Sequence, residues 1–394
     1  MNIQKVRTAV VGCGTISNIY IRNLKHLFSI IDLVALCDVV PEAAQAKAEA
    51  YGIPRVMTLE EIARDADIEL VVCLTGPAQH YEVIKRMLLA GKHVYTEKML
   101  AATLPQGREL VHLAHEKGLM LGVAPDTVLG AGVQTARKAI DAGLIGEVTS
   151  CLIAINKDQS LMAERFRFLR QEGGALPFDM GGYYLSAMYC LLGCVESVCA
   201  FSAPARPHRR QFLCEADTVD EYTIPGPAIL TGALKFTSGV LGSVHINGDT
   251  VMPEWPRLIV YGTQGTLELG DPNHFNGKVL LSRPESEPCE LPFTHGFNGA
   301  PVLPDPTPWE HTYGHRGVGV AELAWSLRKG RPCRLSGEYG LHTMEVLYGM
   351  IESARTGHAV AVESRFELRP LPAGYYSTMF GGTARADAEL SLVD

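Results

Sequence analysis

The stretch Lys5–Ser17, KVRTAVVGCGTIS, decides how the rest of this chain is read. Val6 to Val11 is apolar and strand-like. It breaks into Gly12-Cys13-Gly14 and continues as a helix-like segment from Thr15. Strand, glycine turn and helix in that order form the start of a dinucleotide site. The glycines allow a tight turn and close approach of a pyrophosphate, whose charge is favoured at a helix N-terminus. Ser17, small enough for helix–strand packing, takes the usual third glycine position. A second strand-like run, Leu33–Asp38, LVALCD, ends in an acid at the distance where a ribose-binding carboxylate belongs. Val39 and Val40 follow, with no adjacent basic residue for a 2′-phosphate, so NAD is expected over NADP. Gly12, Gly14, Thr15, Ile16 and Asp38 are therefore candidate cofactor residues, and the N-terminal unit reads as a Rossmann domain.

Working outward, the same alternation continues. A helix over about Ile16–Leu27 precedes the Asp38 strand, Pro41 opens the next helix and Gly52 closes it. Thr58 and Glu61 form a capping box. Leu70–Leu74 is continuously apolar, as a strand covered on both faces must be, and ends in Thr75-Gly76-Pro77 ahead of His80. His93–Lys98 and Leu119–Ala124 are the next strands, separated by a helix from about Pro105. Strands alternating with helices of a dozen residues give a doubly wound parallel sheet. That domain is expected to occupy residues 1–125. From residue 126 to 394 the pattern changes. After a helix over about Ala131–Ala142, strand-like runs follow one another: Glu147–Asn156, Glu196–Phe201, Ala228–Phe236, Val240–Asn247, Arg257–Gly262 and Gly265–Leu269. Helical segments return at Val318–Arg328 and Glu338–Arg355. The expected class is α/β, an N-terminal Rossmann sheet followed by an α+β domain on a mainly antiparallel sheet. Pro284–Pro308 reads as loop and the tail from Ala384 as loosely held.

Composition narrows the function. The net charge of −8, without a basic block, argues against nucleic acid or an anionic membrane as partner. No uninterrupted apolar run is long enough to span a bilayer, and the first strand starts at Val6, so a cytoplasmic location is expected. Ten cysteines without CxxC pairs fit reduced thiols, with Cys190 and Cys194 on one apolar helix face as core. Glu310, His311 and His315 superficially suggest a metal cluster, but Gly314 interrupts any regular helix and no third ligand is suitably spaced. No metal is expected.

Two further motifs stand at informative places. Glu97-Lys98 ends a Rossmann strand, where ligands of open α/β sheets bind. Gly173-Gly174, with Phe178-Asp179-Met180-Gly181-Gly182-Tyr183, opens an apolar helix in the second domain. Together with the glycine turn they resemble the glucose–fructose oxidoreductase / inositol dehydrogenase / rhizopine-catabolism (Gfo/Idh/MocA) family, from Val6 to about Ser364. The resemblance implies that Lys98 lies beside the nicotinamide at the reacting hydroxyl or carbonyl, with Asp179 and Tyr183 completing the catalytic set. A spacing of four puts these two on one helical face. It also implies a homodimer or homotetramer built on the open face of the second sheet.

Two departures from the family pattern matter. Met99 replaces the usual proline, and since a cis bond before a non-proline costs about 2.5–4 kcal/mol, a trans bond is expected. Tyr183 stands where many relatives have histidine. A tyrosine needs a nearby cation to ionise near neutrality, and Lys98 is the candidate. Thr75, His80 and Glu97 are candidate cofactor neighbours, Asp126 and Arg316 candidate substrate residues. Each has a plainer reading: turn residue for Asp126, core histidine for His80, helix cap for Asp179, packed aromatic for Tyr183.

The expected activity is hydride transfer between NAD and a secondary alcohol of a sugar, sugar derivative or cyclitol. Two alternatives stand beside it. One is glycoside cleavage with transient use of NAD; the other is a regulator that binds NAD or sugar without turnover.

Overall fold

The computed structural model describes residues 4–171, 173–205, 224–250, 257–299 and 314–372. The first unit starts with β1 (Val6–Val11), α1 (Ser17–His26), β2 (Ile31–Cys37), α2 (Pro41–Tyr51), β3 (Arg55–Val56) and α3 (Leu59–Arg64). It continues with β4 (Leu70–Cys73), α4 (Pro77–Leu89), β5 (His93–Thr96), α5 (Leu104–Glu116) and β6 (Leu121–Val123). The six strands are all parallel, in the order β3-β2-β1-β4-β5-β6. All of β4 and nearly all of β1 is buried, which explains the continuous apolar runs. The chain reverses its direction of winding between β1 and β4. That switch point opens a crevice at the carboxyl ends of the strands. Local signals set the helix ends: Gly52 closes α2 in a left-handed conformation, and both capping-box bonds of Thr58 and Glu61 are formed.

The second unit begins with a short 3₁₀ turn, Asp126–Leu129, then α6 (Ala131–Asp141), β7 (Val148–Asn156), α7 (Gln159–Arg165) and α8 (Leu176–Leu192). Strands β8 (Val195–Pro204), β9 (Pro227–Phe236), β10 (Leu241–Asn247), β11 (Arg257–Gly262) and β12 (Thr266–Leu269) follow. The later elements are β13 (Val279–Ser282), β14 (Cys289–Glu290), α9 (Val318–Lys329), α10 (Gly337–Thr356) and β15 (Val360–Ala361). Among the described residues, nine strands of this unit form one sheet, β14-β13-β12-β11-β7-β10-β9-β8-β15, in which only β7 and β10 pair in parallel. The fold class is thus the expected one. Within the stretch read as loop, Cys289 and Glu290 form a strand against Leu280 and Leu281. Residues 300–308 of that stretch, with Glu310, His311 and the tail from Ala384, lie outside the described residues.

One face of the large sheet is covered by α8, whose seventeen residues are all buried. Gly181 allows this approach: a Cβ there would sit 3.2 Å from Ile246 of β10 and 3.3 Å from Leu347 of α10. The opposite face presents Phe201, Leu241 and Tyr261 to solvent.

Late in the chain, residues 314–337 pass back to the first unit. Val123 N–H donates to Leu335 O at 2.8 Å, and Gly122 bridges Ser336. Asn23 of α1 donates to the carbonyls of Gly314 and Arg316 at 3.0 and 2.7 Å. Arg328 of α9 donates to Gln4 O and Lys5 O and pairs with Glu69 at 2.7 Å. Gly319 lies against the Tyr95 ring, with no room for a Cβ. No helix among the described residues is long and apolar enough to cross a membrane.

Candidate active site

The glycine turn is shaped by two demands on Gly12. Its φ is +103°, which side chains other than glycine's avoid, and a Cβ there would lie 2.6 Å from Leu74 C at the end of β4. Gly14 has nothing within 4 Å where its Cβ would be, so the turn keeps an open side. Ile16, at the N-cap of α1, makes no side-chain cap bond and is partly exposed. Asp38 faces the turn. Its Oδ2 accepts from Cys13 N–H at 2.6 Å and its Oδ1 from Val40 N–H at 2.9 Å. An open glycine turn, a helix N-terminus without a side-chain cap and a fixed carboxylate at the neighbouring strand end fit a dinucleotide.

Across the switch point, the ends of β4 and β5 are tied by His80. Its ring nitrogens lie 2.6 Å from Met99 O and 2.9 Å from Thr75 O, and the residue is fully buried. Burial holds its pKa below the ordinary histidine value although both carbonyls pull it up, so a neutral ring donates to one carbonyl. His80 thus braces two loops that border the cofactor crevice. The Lys98–Met99 bond between them is cis, which corrects the expectation of a trans bond. Proline is not needed there because Met99 is buried and its carbonyl is held by His80, so tertiary contacts fix the local backbone.

Lys98 and Asp179 meet across the cleft. Lys98 Nζ donates to Asp179 Oδ1 at 2.6 Å and to Asp179 O at 2.8 Å. Asp179 lies in the first turn of α8, where a carboxylate is favoured by the helix dipole, and makes no cap bond. Burial favours the neutral amine of Lys98, but Asp179, Tyr183 and Glu97 outweigh it and hold its pKa above the ordinary lysine value. Lys98 is a cation at neutral pH. Tyr183 follows one turn after Asp179. Lys98 Nζ lies 5.3 Å and Arg316 Cζ 5.7 Å from the centre of its ring. Burial raises the Tyr183 pKa, and the two cations only partly oppose it. Desolvation of a buried phenolate thus opposes the ionisation that the neighbouring Lys98 charge favours.

Behind this trio lies a buried polar layer. Glu97 accepts from Tyr20 O–H at 2.7 Å and from Lys98 N–H at 3.2 Å, so it braces Lys98 from beneath. Asp126 is fully buried, 3.5 Å from Arg316, and accepts from Gly317 N–H at 2.7 Å and Gly319 N–H at 3.3 Å. Burial raises its pKa to about 6, with Arg316 opposing and Glu97 adding. Both Asp126 and Arg316 were expected at the substrate. The structure pairs them with each other beside Tyr183, and Asp126 also holds the start of α9 through Gly317 and Gly319. Sequence reasoning missed Tyr20, Asn23 and Lys47, whose Nζ donates to Gly14 O at 2.7 Å. None carries a motif; each is defined by a tertiary neighbour. Among the described residues no group of His, Cys, Asp or Glu is placed to hold a metal.

Comparison with known proteins decides the family. Residues 6–124 match the model of the oxidoreductase family with an NAD-binding Rossmann fold, and residues 133–268 match the Gfo/Idh/MocA C-terminal domain. The chain belongs to the Gfo/Idh/MocA oxidoreductase family. It is an NAD(P)-binding oxidoreductase, and its Rossmann domain is of the NAD-binding type. Among curated relatives, an uncharacterized oxidoreductase of Schizosaccharomyces pombe is 32% identical over 199 residues, 50% of this chain and 54% of that protein. A scyllo-inositol 2-dehydrogenase (NADP(+)) of Bacillus subtilis, IolW, is 22% identical over 92% of this chain and 97% of its own length. The chain thus spans about half the length of the first of these relatives and nearly all of the second. A solved levoglucosan dehydrogenase in complex with NADH shares the fold, with a TM-score of 0.76 at 18% identity over 92% of this chain and all of that one.

Proposed function

We propose that this family member transfers a hydride between NAD and the secondary alcohol or ketone of a sugar, sugar derivative or cyclitol. The observation that carries this reading is the 2.6 Å pairing of Lys98 with Asp179 beside the cofactor crevice. It is supported by relatives named for inositol oxidation and by the fold shared with a sugar dehydrogenase.

Gly12, Gly14, Thr15, Ile16, Asp38 and Thr75 would hold the dinucleotide, with His80 and Glu97 bracing its nicotinamide end. The nicotinamide, when bound, supplies the hydride acceptor. The protein's own residues handle the oxygen and its proton. In oxidation Lys98, as a cation, donates a hydrogen bond to the alcohol oxygen and stabilises the negative charge that develops there. Asp179, already bonded to Lys98, takes the proton directly or by way of the Lys98 ammonium, which gives one proton up as it receives another. Tyr183 keeps its proton and orients the sugar. In reduction the same groups run in reverse. Residues 1–125 serve as the cofactor domain and 126–394 as the substrate domain. The solvent-facing side of the large sheet, with Phe201, Leu241 and Tyr261, is the surface on which two or four copies associate.

The test is a panel of sugars and cyclitols with NAD, followed at the absorbance of reduced nicotinamide, for the wild type and Lys98→Ala. Steady NADH formation that falls by about 10²–10⁴ in the variant, with NAD binding within a few-fold, is expected. Glycoside cleavage without net NADH, or ligand-induced melting shifts without turnover, would replace this reading.

A further inference from the structure

Lys47 sits in the second turn of α2, yet its ammonium is spent entirely on the glycine turn. Nζ donates to Gly14 O at 2.7 Å, to Ser17 Oγ at 2.6 Å and to Asn18 Oδ1 at 2.8 Å. An ammonium has three protons, and all three point to one spot at the start of α1. Ser17 Oγ itself donates to Gly14 O at 2.7 Å, so the contacts form a closed set.

This is a poor place for a cation by itself. The N-terminus of α1 is the positive end of its dipole, and charges of that sign are disfavoured there. A lysine stem of four carbons on a half-exposed helix reaches water easily, so solvation does not explain the position. The position makes sense with an anion at the same helix end. Beside it, Gly14 leaves open space on its Cβ side. Burial lowers the Lys47 pKa, while Cys13 and the Asp38 carboxylate oppose that shift, so the ammonium lies within electrostatic reach of the ribose-binding acid.

We propose that Lys47 is a cofactor-binding residue whose ammonium pairs with a phosphate group of the dinucleotide. Phosphate chemistry enters this site from two sources: the pyrophosphate common to NAD and NADP, and the 2′-phosphate of NADP alone. Lys47 lies between the helix end that takes the first and the Asp38 side that faces the second. On binding, the phosphate replaces one of the three oxygens now held by Nζ, with no change in the number of charged hydrogen bonds. The inference depends on the dinucleotide site and not on the roles of Lys98, Asp179 or Tyr183.

The experiment titrates the full chain with NADH, NADPH, ADP-ribose and adenosine in wild type, Lys47→Met and Lys47→Arg. In Lys47→Met the dissociation constant should rise about tenfold or more, as for loss of a hydrogen bond to a charged group, for ADP-ribose if the pyrophosphate is the partner and for NADPH alone if the 2′-phosphate is. Adenosine, which has no phosphate, should change less than twofold, and Lys47→Arg should recover most of the loss. An equal loss for NADH and NADPH assigns Lys47 to the pyrophosphate. A loss at least tenfold greater for NADPH assigns it to the 2′-phosphate. Parallel weakening of adenosine and ADP-ribose would overturn the proposal, since Lys47 would then only shape the turn. So would unchanged binding of both ADP-ribose and NADPH. The comparison of two ligands is made within one variant, so a general loss of stability does not imitate the result.

Discussion

At the residue scale, the division of labour between Asp179 and Tyr183 is the sharpest open consequence of the geometry. Burial keeps the proton on Tyr183, while Asp179 is bonded to the Lys98 cation. Asp179→Asn should therefore lower kcat by about 10²-fold or more, the span of a positioned proton acceptor. Tyr183→Phe should raise KM several-fold and leave kcat within about threefold, since the ring keeps its packing and loses only a hydrogen bond. Steady-state kinetics of the two variants decide this; a collapse of kcat in Tyr183→Phe would return the proton to the phenol. Asp38 gives a second prediction. Asp38→Ala should raise the dissociation constant for NAD about tenfold or more, through lost hydrogen bonds to the ribose, and change that for NADP much less. Direct titration with both cofactors reads the ratio. A parallel loss would mean that Asp38 acts only through its bonds to Cys13 and Val40.

At the scale of elements, the first strand, turn and helix were legible because they are local. Gly12, the run before it and Asp38 each carry their reason in adjacent sequence. The capping box at Thr58 and the glycine stop at Gly52 were legible for the same reason. Strands of two residues, such as β3, β14 and β15, show no period and exist only because a neighbouring strand offers a ladder. In the site, Asp179 and Tyr183 came from the resemblance and their helical spacing. Lys47, Tyr20 and the enclosure of Asp126 depend on which elements the fold brings together, and no spacing encodes that. Gly12→Ala tests the turn as an element. Its Cβ would collide with the end of β4 at a backbone angle foreign to alanine, so NAD affinity should be lost and the apo melting temperature should fall. A Gly12→Ala protein that binds NAD within a few-fold of wild type would show that β1 and β4 shift apart freely.

At the scale of the whole molecule, acid sensitivity follows from buried histidines. His342 of α10 accepts from Val195 N–H through Nε2 at 2.9 Å and faces Ser364 through Nδ1. Protonation would put a second donor against that N–H. Burial lowers the His342 pKa from 6.5 to about 4, and fully buried His315 is lowered equally. A histidine with a depressed folded-state pKa binds its proton more readily when unfolded. Its contribution is complete above pH 6.5 and is lost as pH falls toward about 4, on the order of 3 kcal/mol for a shift of this size. Melting temperature should therefore fall between pH 7 and pH 4.5, and by less in His342→Gln, where Oε1 replaces the acceptor. Equal falls in both proteins would remove His342 from the account.

The return of residues 314–337 to the first sheet also sets a timetable. Leu335, whose carbonyl receives Val123 N–H, leaves the ribosome about 200 residues after it, and at 5–20 residues per second that delay is roughly 10–40 s. Throughout that interval Tyr95 and the edge at β6 lack the helix that will cover them. The nucleotide half is thus assembled first and closed last, and its longest vulnerability is to being left half-wrapped during its own synthesis.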